Sequence, residues 1–241
     1  MRIPRIYTPQ QLQIGSTIRL EEAASRHLGK VLRMTPGREL ILFNAQGGEY
    51  SAIIHEVGKK VTQVTITEHN TDDRESPLHS HLAIGVSRGD RMDWVLQKAC
   101  ELGVSEITPL FTERTEVKLS GPRLEKKHQH WQQILISACE QCQRNRLPQL
   151  RSPLALGTFL SQPLDGEKWV LHHRDSEGLD PGKSVDKACI LIGPEGGLSE
   201  TEIDSAREAG FAPLTLGPRV MRTETAPLVA LSLLQQYWGD F

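Results

Sequence analysis

The sequence has no long hydrophobic run. No stretch of its 241 residues approaches the roughly 20 consecutive apolar residues that a membrane-spanning helix needs. The opening residues, MRIPRIYTPQ, are basic but lead into no apolar segment of the kind that a secretory signal peptide contains. We therefore expect a cytoplasmic protein with no membrane partner.

Cysteine is also scarce, with four residues in the chain. Without a secretory signal, they favour reduced thiols over a disulfide framework. Cys139 and Cys142 form a CxxC pair, but Cys100 and Cys189 are isolated, so no second pair completes a tetrahedral zinc site. We expect no metal and no redox role.

The charge is small overall, −2 at pH 7, but it is unevenly distributed. Residues 1–40 contain seven basic and three acidic side chains, an excess of four positive charges. A local excess of this kind is typical of a surface that binds a polyanion. The alternative is a solvated face that happens to be basic.

The chain divides into regions of different pattern. Residues 1–70 alternate in the manner of β-strands, with one short helix near LEEAASRHLGKVL, which predicts a small β-barrel or sandwich. The polar, aperiodic stretch HNTDDRESPLHSH predicts a linker at 71–80. Its histidines, His69, His79 and His81, have no carboxylates at a fixed spacing, so we expect exposed linker residues.

From residue 81 to 241, apolar strands alternate with helices. Strands are expected at HLAIGV, VSEITPLF, KWVLHH, ACILIG and APLTLG, with a helix at RMDWVLQKACELG and a long amphipathic helix at about 123–143. This alternation predicts a mostly parallel sheet with helices on its faces. Ligands of such sheets bind beyond the carboxyl ends of the strands.

The segment ILIGPEGGLS predicts a buried strand, a glycine-rich loop and a helix that opens with a capping box at Ser199. Gly193, Gly196 and Gly197 allow the backbone to approach a ligand closely. The loop has neither the GxGxxG spacing nor the Lys-Ser/Thr pair of nucleotide-binding loops, and it carries Glu195 without a basic residue. We therefore expect a neutral or cationic ligand.

A second loop, LGPRVMRTETAPL at residues 216–228, also leaves a strand and enters a helix. Pro227 suits the first turn of that helix, where a missing N–H is tolerated. The two loops, together with the strand end at Leu171 and His172, would converge on one pocket. The alternative is that both loops are tight turns that hold no ligand.

LIGPEGG followed by LGPRVMRTETAPLVAL resembles the C-terminal signature of the SPOUT-superfamily methyltransferases that act on N3 of a uridine in 16S ribosomal RNA. QKACELGVSEITPL, TERTEVK and ACEQCQRNRLP resemble other blocks of that family, although Thr115 and Glu116 stand where we expect Ser and an apolar residue. RHLGKVLRMTPGRELILFN resembles its N-terminal PUA-like RNA-binding domain. The resemblance covers essentially the whole chain.

The resemblance implies an α/β C-terminal domain with a deep trefoil knot and an N-terminal PUA-like β-barrel. It also implies S-adenosylmethionine as cofactor, 16S rRNA or the small ribosomal subunit as partner, and a homodimer. S-adenosylmethionine carries a sulfonium cation and no phosphate, so it suits a glycine loop with a carboxylate. The expected cofactor-binding residues are Leu171, His172, Ile192, Gly193, Pro194, Glu195, Gly196, Leu216, Gly217, Val220, Met221, Thr223 and Ala226. Glu195 has an alternative role as a carboxylate at a helix N-terminus.

Uridine N3 carries a proton and attacks well only as the anion, so the site must favour negative charge on the ring. We expect Arg222 to supply this stabilisation, with Arg219 as the alternative and Glu224 orienting either arginine. Methylation of a ribose 2'-oxygen is an alternative activity. A non-catalytic ribosome-binding protein is the alternative from another class, and the loop spacing disfavours a nicotinamide enzyme.

The target base must leave its stack or already be unpaired, which costs a few kcal/mol. Contacts between the N-terminal domain and RNA phosphates would offset this cost. The candidates for these contacts are Arg2, Arg5, Arg26, Lys30 and Arg33.

Overall fold

The computed structural model describes residues 3–58, 60–172 and 178–241. The chain forms two compact units, Met1–Glu75 with Cys139–Leu147, and Ser76–Ala138 with Pro148–Phe241. The boundary after Glu75 falls inside the predicted linker. Nothing in the sequence pattern indicates that residues 139–147 belong with the N-terminal unit.

The first unit is built on a mixed sheet with the order β1-β3-β4-β5-β2. β1 runs parallel to β3, and the other pairs are antiparallel. Alternate residues of the strands, such as Leu40 and Leu42 of β3, are fully buried, as a period of two requires. The five strands within the described residues are β1 (Arg5–Tyr7), β2 (Thr17–Arg19), β3 (Glu39–Phe43), β4 (Glu49–Val57) and β5 (Thr62–Asn70).

The predicted short helix of this unit is present and has two parts. Helix α1 (Glu22–Arg26) continues directly into a π-helical turn at His27–Val31. Leu28 of this turn is completely buried in the core of the sheet, whereas Lys30 and Val31 are exposed. The wider π-helical turn therefore presents a basic and an apolar side chain to solvent.

The second unit contains a parallel sheet with the order β12-β10-β11-β6-β7-β8, and β9 pairs with β7. All of its strand pairs in the described chain are parallel, which confirms the prediction from the strand–helix alternation. The strands are β6 (His79–Gly85), β7 (Glu106–Phe111), β8 (Gln149–Leu150), β9 (Leu154–Ala155), β10 (Glu167–Leu171), β11 (Lys187–Ile192) and β12 (Ala212–Leu214).

Helices pack against the sheet, and two of them begin where the local sequence predicts. Ser199 Oγ accepts a hydrogen bond from the N–H of Glu202 while the Glu202 carboxylate accepts one from the N–H of Ser199, so the capping box is confirmed. Pro227 lies in the first turn of the last helix. The helices are α2 (Asp90–Glu101), α3 (Gly121–Cys142), α4 (Leu156–Leu160), α5 (Glu200–Glu208) and α6 (Ala226–Trp238).

The expectation for the three histidines was wrong in part, because they lie in strands rather than in a linker, although His69 and His79 are exposed as expected. His69 is the penultimate residue of β5 and stacks on Tyr50 with 4.3 Å between ring centroids. His79 and His81 belong to β6, and His81 is only 8% exposed. Pairing of β6 with β11 begins at His79, so the strand starts two residues before the predicted HLAIGV.

The four cysteines are free thiols, and all except Cys142 are buried. Within the described ranges, no three His, Cys, Asp or Glu side chains are grouped so that they could hold a metal ion. Among the described residues, no helix has the length and apolar character to cross a membrane.

Candidate functional site

A cavity of about 630 Å³ opens beyond the carboxyl ends of the neighbouring strands β10, β11 and β12. This volume lies within the range of small-molecule sites. The two glycine-containing loops and the strand end at Leu171 form its walls, as the sequence predicts. Twelve of the thirteen expected cofactor-binding residues line it: Leu171, His172, Ile192, Gly193, Pro194, Glu195, Leu216, Gly217, Val220, Met221, Thr223 and Ala226.

The cavity has further lining residues outside the expected cofactor-binding set, although Gly197 was predicted to allow close approach of a ligand. They directly flank the expected positions along the chain, so extending each predicted loop by one or two residues would have found them. They are Gly197, Leu198, Leu214, Thr215 and Pro218.

Gly193 makes the shape of the first loop possible. A Cβ at this position would lie 2.8 Å from the carbonyl carbon of Gly197 and 2.8 Å from the backbone nitrogen of Leu198. The loop closes through a 2.8 Å hydrogen bond from the N–H of Gly197 to the carbonyl of Pro194. Any side chain at Gly193 therefore displaces backbone at the cavity wall.

Gly196 is the expected residue that does not line the cavity. A Cβ there would lie 3.0 Å from the Cβ of Arg114, and Arg114 Nη1 donates a 2.9 Å hydrogen bond to the carbonyl of Gly196. This glycine faces the TERTEVK segment rather than the cavity. The close approach at Gly196 serves packing against Arg114, and its place in the cofactor-binding set stays a prediction.

The second loop holds the three residues expected to act in catalysis. The carbonyl of Arg222 accepts hydrogen bonds from the N–H groups of Thr225 and Ala226 at 2.9 and 3.0 Å, which fixes the backbone at the start of α6. The side chain of Arg222 is exposed and lies outside the cavity lining, whereas Arg219 is exposed and lines the cavity. Among the described residues, the Glu224 carboxylate forms an ion pair with Arg91, whose Nε lies 3.8 Å away, rather than with Arg219 or Arg222.

The Glu195 carboxylate lines the cavity and is held by Arg88 and Arg91 rather than by the N-terminus of the following helix. Its Oε1 accepts hydrogen bonds from the N–H of Arg88 and from Arg91 Nη1, both at 2.9 Å, while Ser199 caps the following helix. Partial burial raises the pKa of Glu195, but these hydrogen bonds outweigh it and hold the pKa below its ordinary value. The charge that lines the cavity is therefore largely balanced.

Arg88 and Arg91 were not predicted from the sequence. Arg88 lies in the turn between β6 and α2, Arg91 is the second residue of α2, and β6 is the parallel neighbour of β11 in the sheet. Loops that follow neighbouring parallel strands lie at the same edge of a sheet. The sequence could therefore have indicated that the residues after β6 lie near the loop after β11.

Of the residues expected to contact RNA, Arg5 requires a correction. It is 8% exposed, pairs with Glu49 and donates a 2.6 Å hydrogen bond to Asn145 Oδ1. Its guanidinium also lies over the ring of Phe43 at 5.3 Å. Strand β1 turns this side chain inward, so it stabilises the first unit and does not face a phosphate.

The other basic candidates of the first unit differ in their surroundings. Arg26 is exposed and pairs with Glu22 one helical turn away, at 3.0 Å. Lys30 and Arg33 are exposed, and Arg33 adopts a positive φ of 50°, which is rare for a residue with a Cβ. Arg2 lies outside the described residues.

Comparison with known proteins agrees with this architecture. The RNA methyltransferase domain family matches residues 74–235, and the RNA methyltransferase PUA domain family matches residues 20–67. Ribosomal RNA small subunit methyltransferase E of Buchnera aphidicola from Schizaphis graminum is 35% identical, covering 99% of this chain and 98% of that protein. The protein of the same name from Bacillus subtilis is 31% identical over 94% of this chain and 93% of its own length.

Solved structures match over the full length. A Legionella pneumophila methyltransferase in complex with the bound cofactor SAM is 44% identical, with a TM-score of 0.96 and 100% of both chains covered. Ribosomal RNA small subunit methyltransferase E of Neisseria gonorrhoeae bound to S-adenosyl methionine is 38% identical, with a TM-score of 0.91 and the same coverage.

The fold and the strand-end cavity are those of a SPOUT-like RNA methyltransferase with an N-terminal PUA-like domain. Within that class, this chain belongs to the ribosomal RNA small subunit methyltransferase E family.

Proposed function

We propose that this protein transfers the methyl group of S-adenosylmethionine to N3 of one specific uridine in 16S rRNA. The observation that carries the proposal is the cavity between the two loops at the ends of β11 and β12, in a chain similar over its full length to a methyltransferase bound to S-adenosyl methionine. The family membership supplies the ribosomal RNA substrate.

The residues of the cavity fit this cofactor. Ile192, Leu198 and Leu214 provide a buried apolar wall, and the loop backbones offer N–H and C=O groups that suit an adenine ring. The bound cofactor supplies a methyl group on a sulfonium, which carries positive charge and no phosphate. Among the described lining residues, Glu195 places a carboxylate in the same cavity as Arg219, and a carboxylate is compatible with a sulfonium ligand. We propose the twelve lining residues named above as its binding set.

Arg222 has the position expected of a residue that acts on the RNA base rather than on the cofactor. Its backbone is fixed at the start of α6 while its side chain extends into solvent beside the cavity residues Met221 and Thr223. We propose that the guanidinium stabilises negative charge on the uridine ring as N3 loses its proton and accepts the methyl group. Arg219, which lines the cavity, is the alternative.

We propose that Lys30 and Arg33, with Arg26, contact RNA phosphates. Both Lys30 and Arg33 are exposed, and they follow one another closely around the π-helical turn of the PUA-like domain. Arg2, beyond the described residues, remains a candidate. Exposed cations at this spacing suit successive phosphates of one strand, because such contacts position RNA without reading its sequence.

The proposal also covers the chain topology, the oligomeric state and the place of action. We propose that the C-terminal domain is threaded as a deep trefoil knot, that the protein is a homodimer, and that it acts in the cytoplasm on 16S rRNA or the assembled small ribosomal subunit. Sedimentation equilibrium tests the dimer directly, because a mass near twice the 26.9 kDa of the chain is expected.

Isothermal titration with S-adenosylmethionine tests the proposed cofactor. We expect saturable binding by the intact protein and no comparable binding of NAD. Absence of S-adenosylmethionine binding would instead favour a non-catalytic ribosome-binding protein.

A further inference from the structure

The turn between β6 and α2 reaches both loops of the candidate site. Gly89 allows the chain to reverse with a φ of 56°, and α2 begins at the next residue. The turn lies at the edge of the sheet where the loop after β11 also begins, because β6 and β11 are parallel neighbours.

Arg91 contacts a carboxylate from each of the two loops. Its Nη1 lies 2.9 Å from Oε1 of Glu195 in the first loop, and its Nε lies 3.8 Å from Oε2 of Glu224 in the second loop. The three side chains are 42%, 28% and 25% exposed, respectively. One guanidinium thus bridges two segments that are about 30 positions apart in sequence and that both line one cavity.

The local helix offers no reason for a cation at this position. Arg91 is the second residue of α2, where the helix dipole favours negative charge, and Asp90 and Asp93 are the residues of that turn that agree with it. A neutral residue at position 91 would suit the helix at least as well. The contacts to Glu195 and Glu224 are therefore what arginine contributes here.

We propose that Arg91 is a positioning residue that fixes the two cofactor loops relative to each other. This inference rests on the proposed function, since it assigns both loops to the S-adenosylmethionine site. Each partly exposed pair is expected to contribute up to about a fivefold factor in affinity. Because a single side chain serves both loops, its loss releases both walls of the cavity together.

Arg88, in the turn just before α2, provides a matched control. Its guanidinium pairs with Glu116 at 2.5 Å, and both side chains are well exposed, at 63% and 59%. The contact of Arg88 with the first loop uses its backbone N–H, which a substitution retains. Arg88→Gln therefore removes an arginine from the turn without breaking the bridge between the loops.

The test compares Arg91→Gln, Arg91→Lys and Arg88→Gln with the parent by calorimetry of S-adenosylmethionine binding. We expect Arg91→Gln to weaken binding by about threefold to tenfold, Arg91→Lys to recover part of this loss, and Arg88→Gln to bind within about twofold of the parent. The melting temperature of Arg91→Gln should match that of the parent. In turnover, the KM for S-adenosylmethionine should rise while the KM for RNA stays constant.

Double variants show whether the loss of affinity in Arg91→Gln comes from its contacts with Glu195 and Glu224. Arg91→Gln should cost less affinity in a Glu195→Gln background, and again in a Glu224→Gln background, than it does in the parent. Parental affinity in Arg91→Gln, or equal losses in every background, would overturn the role of Arg91 and leave the cofactor assignment intact. Absence of S-adenosylmethionine binding by the parent itself would overturn the proposed function and the role of Arg91 together.

Discussion

Arg5 Nη2 donates a 2.6 Å hydrogen bond to Asn145 Oδ1 across 140 positions of sequence. With the paired Glu49, this contact makes Arg5 a buried residue of the first unit. Removal of one partner of a buried pair costs about 3–5 kcal/mol. We therefore expect Arg5→Met to lower the urea midpoint of unfolding clearly.

Arg19 is the control for Arg5, because it is an exposed arginine of the same unit in β2. Arg19→Met should change stability by less than about 0.5 kcal/mol. If Arg5→Met left stability unchanged and reduced the salt dependence of RNA binding, Arg5 would face RNA after all.

We expect the buried His81 to make the folded protein less stable in mild acid. Burial lowers its pKa from 6.5 to about 4, although Glu106 nearby acts in the opposite direction. Between pH 6.5 and about 4, the His81 imidazole is therefore protonated in the unfolded chain and neutral in the folded chain. Stability from this group is complete above pH 6.5 and falls as the pH drops towards 4, by about 3 kcal/mol in total.

The variant His81→Gln checks this effect, because an amide can still reach the hydroxyl of Thr108, which lies 2.8 Å from His81 Nε2. Urea unfolding at several pH values should show a shallower decline for the variant than for the parent between pH 6.5 and 4. Parallel declines would assign the acid sensitivity to other groups.

The two glycines of the first loop should respond differently to alanine. In Gly193→Ala, the new methyl group meets backbone at 2.8 Å, so the loop must move and S-adenosylmethionine affinity should fall at least about tenfold. In Gly196→Ala, the methyl group meets the Arg114 side chain at 3.0 Å, away from the cavity, and affinity should fall less. Calorimetry that ranks the two variants in the reverse order would place Gly196 at the cofactor.

Arg222→Ala should abolish methyl transfer while S-adenosylmethionine affinity stays within about tenfold, or roughly 1.4 kcal/mol. The reason is that its proposed partner is the uridine anion rather than the sulfonium. Turnover with 16S rRNA and calorimetry provide the two measurements, and Arg219→Ala serves as the comparison. Normal turnover of Arg222→Ala would move the role to Arg219.

Replacing Lys30 and Arg33 together with alanine should lower the slope of log affinity against log salt by about one unit for each lost phosphate contact. S-adenosylmethionine affinity should be unchanged. Arg19→Ala in the same domain is the control and should keep the parental slope. An unchanged slope in the double variant would show that Lys30 and Arg33 are solvated and do not contact RNA phosphates.

Local features were predictable from sequence, and contacts between distant segments were not. The capping box at Ser199 depends on residues three positions apart, so its pattern is visible in the chain. The two loops could be found because strand ends and glycines mark them. The start of β6 was missed because its polar residues form a strand only when β11 pairs beside them.

The same limit explains the errors at the candidate site. Arg91 and Glu195 are 104 positions apart, and no local pattern links them. Glu224 was expected beside the arginines of its own loop, yet its ion pair is with Arg91 at the start of α2. The inward direction of Arg5 follows from Asn145, whose segment joins the first unit only in the folded chain.

Mass spectrometry of nucleosides tests the central claim most directly. The protein is incubated with S-adenosylmethionine and either 16S rRNA or small ribosomal subunits that lack the modification, and the RNA is then digested to nucleosides. We predict 3-methyluridine in the digest and its absence when Arg222→Ala replaces the parent. A 2'-O-methylated nucleoside, or no methylated product with either substrate, would contradict N3 methylation of uridine as the function of this protein.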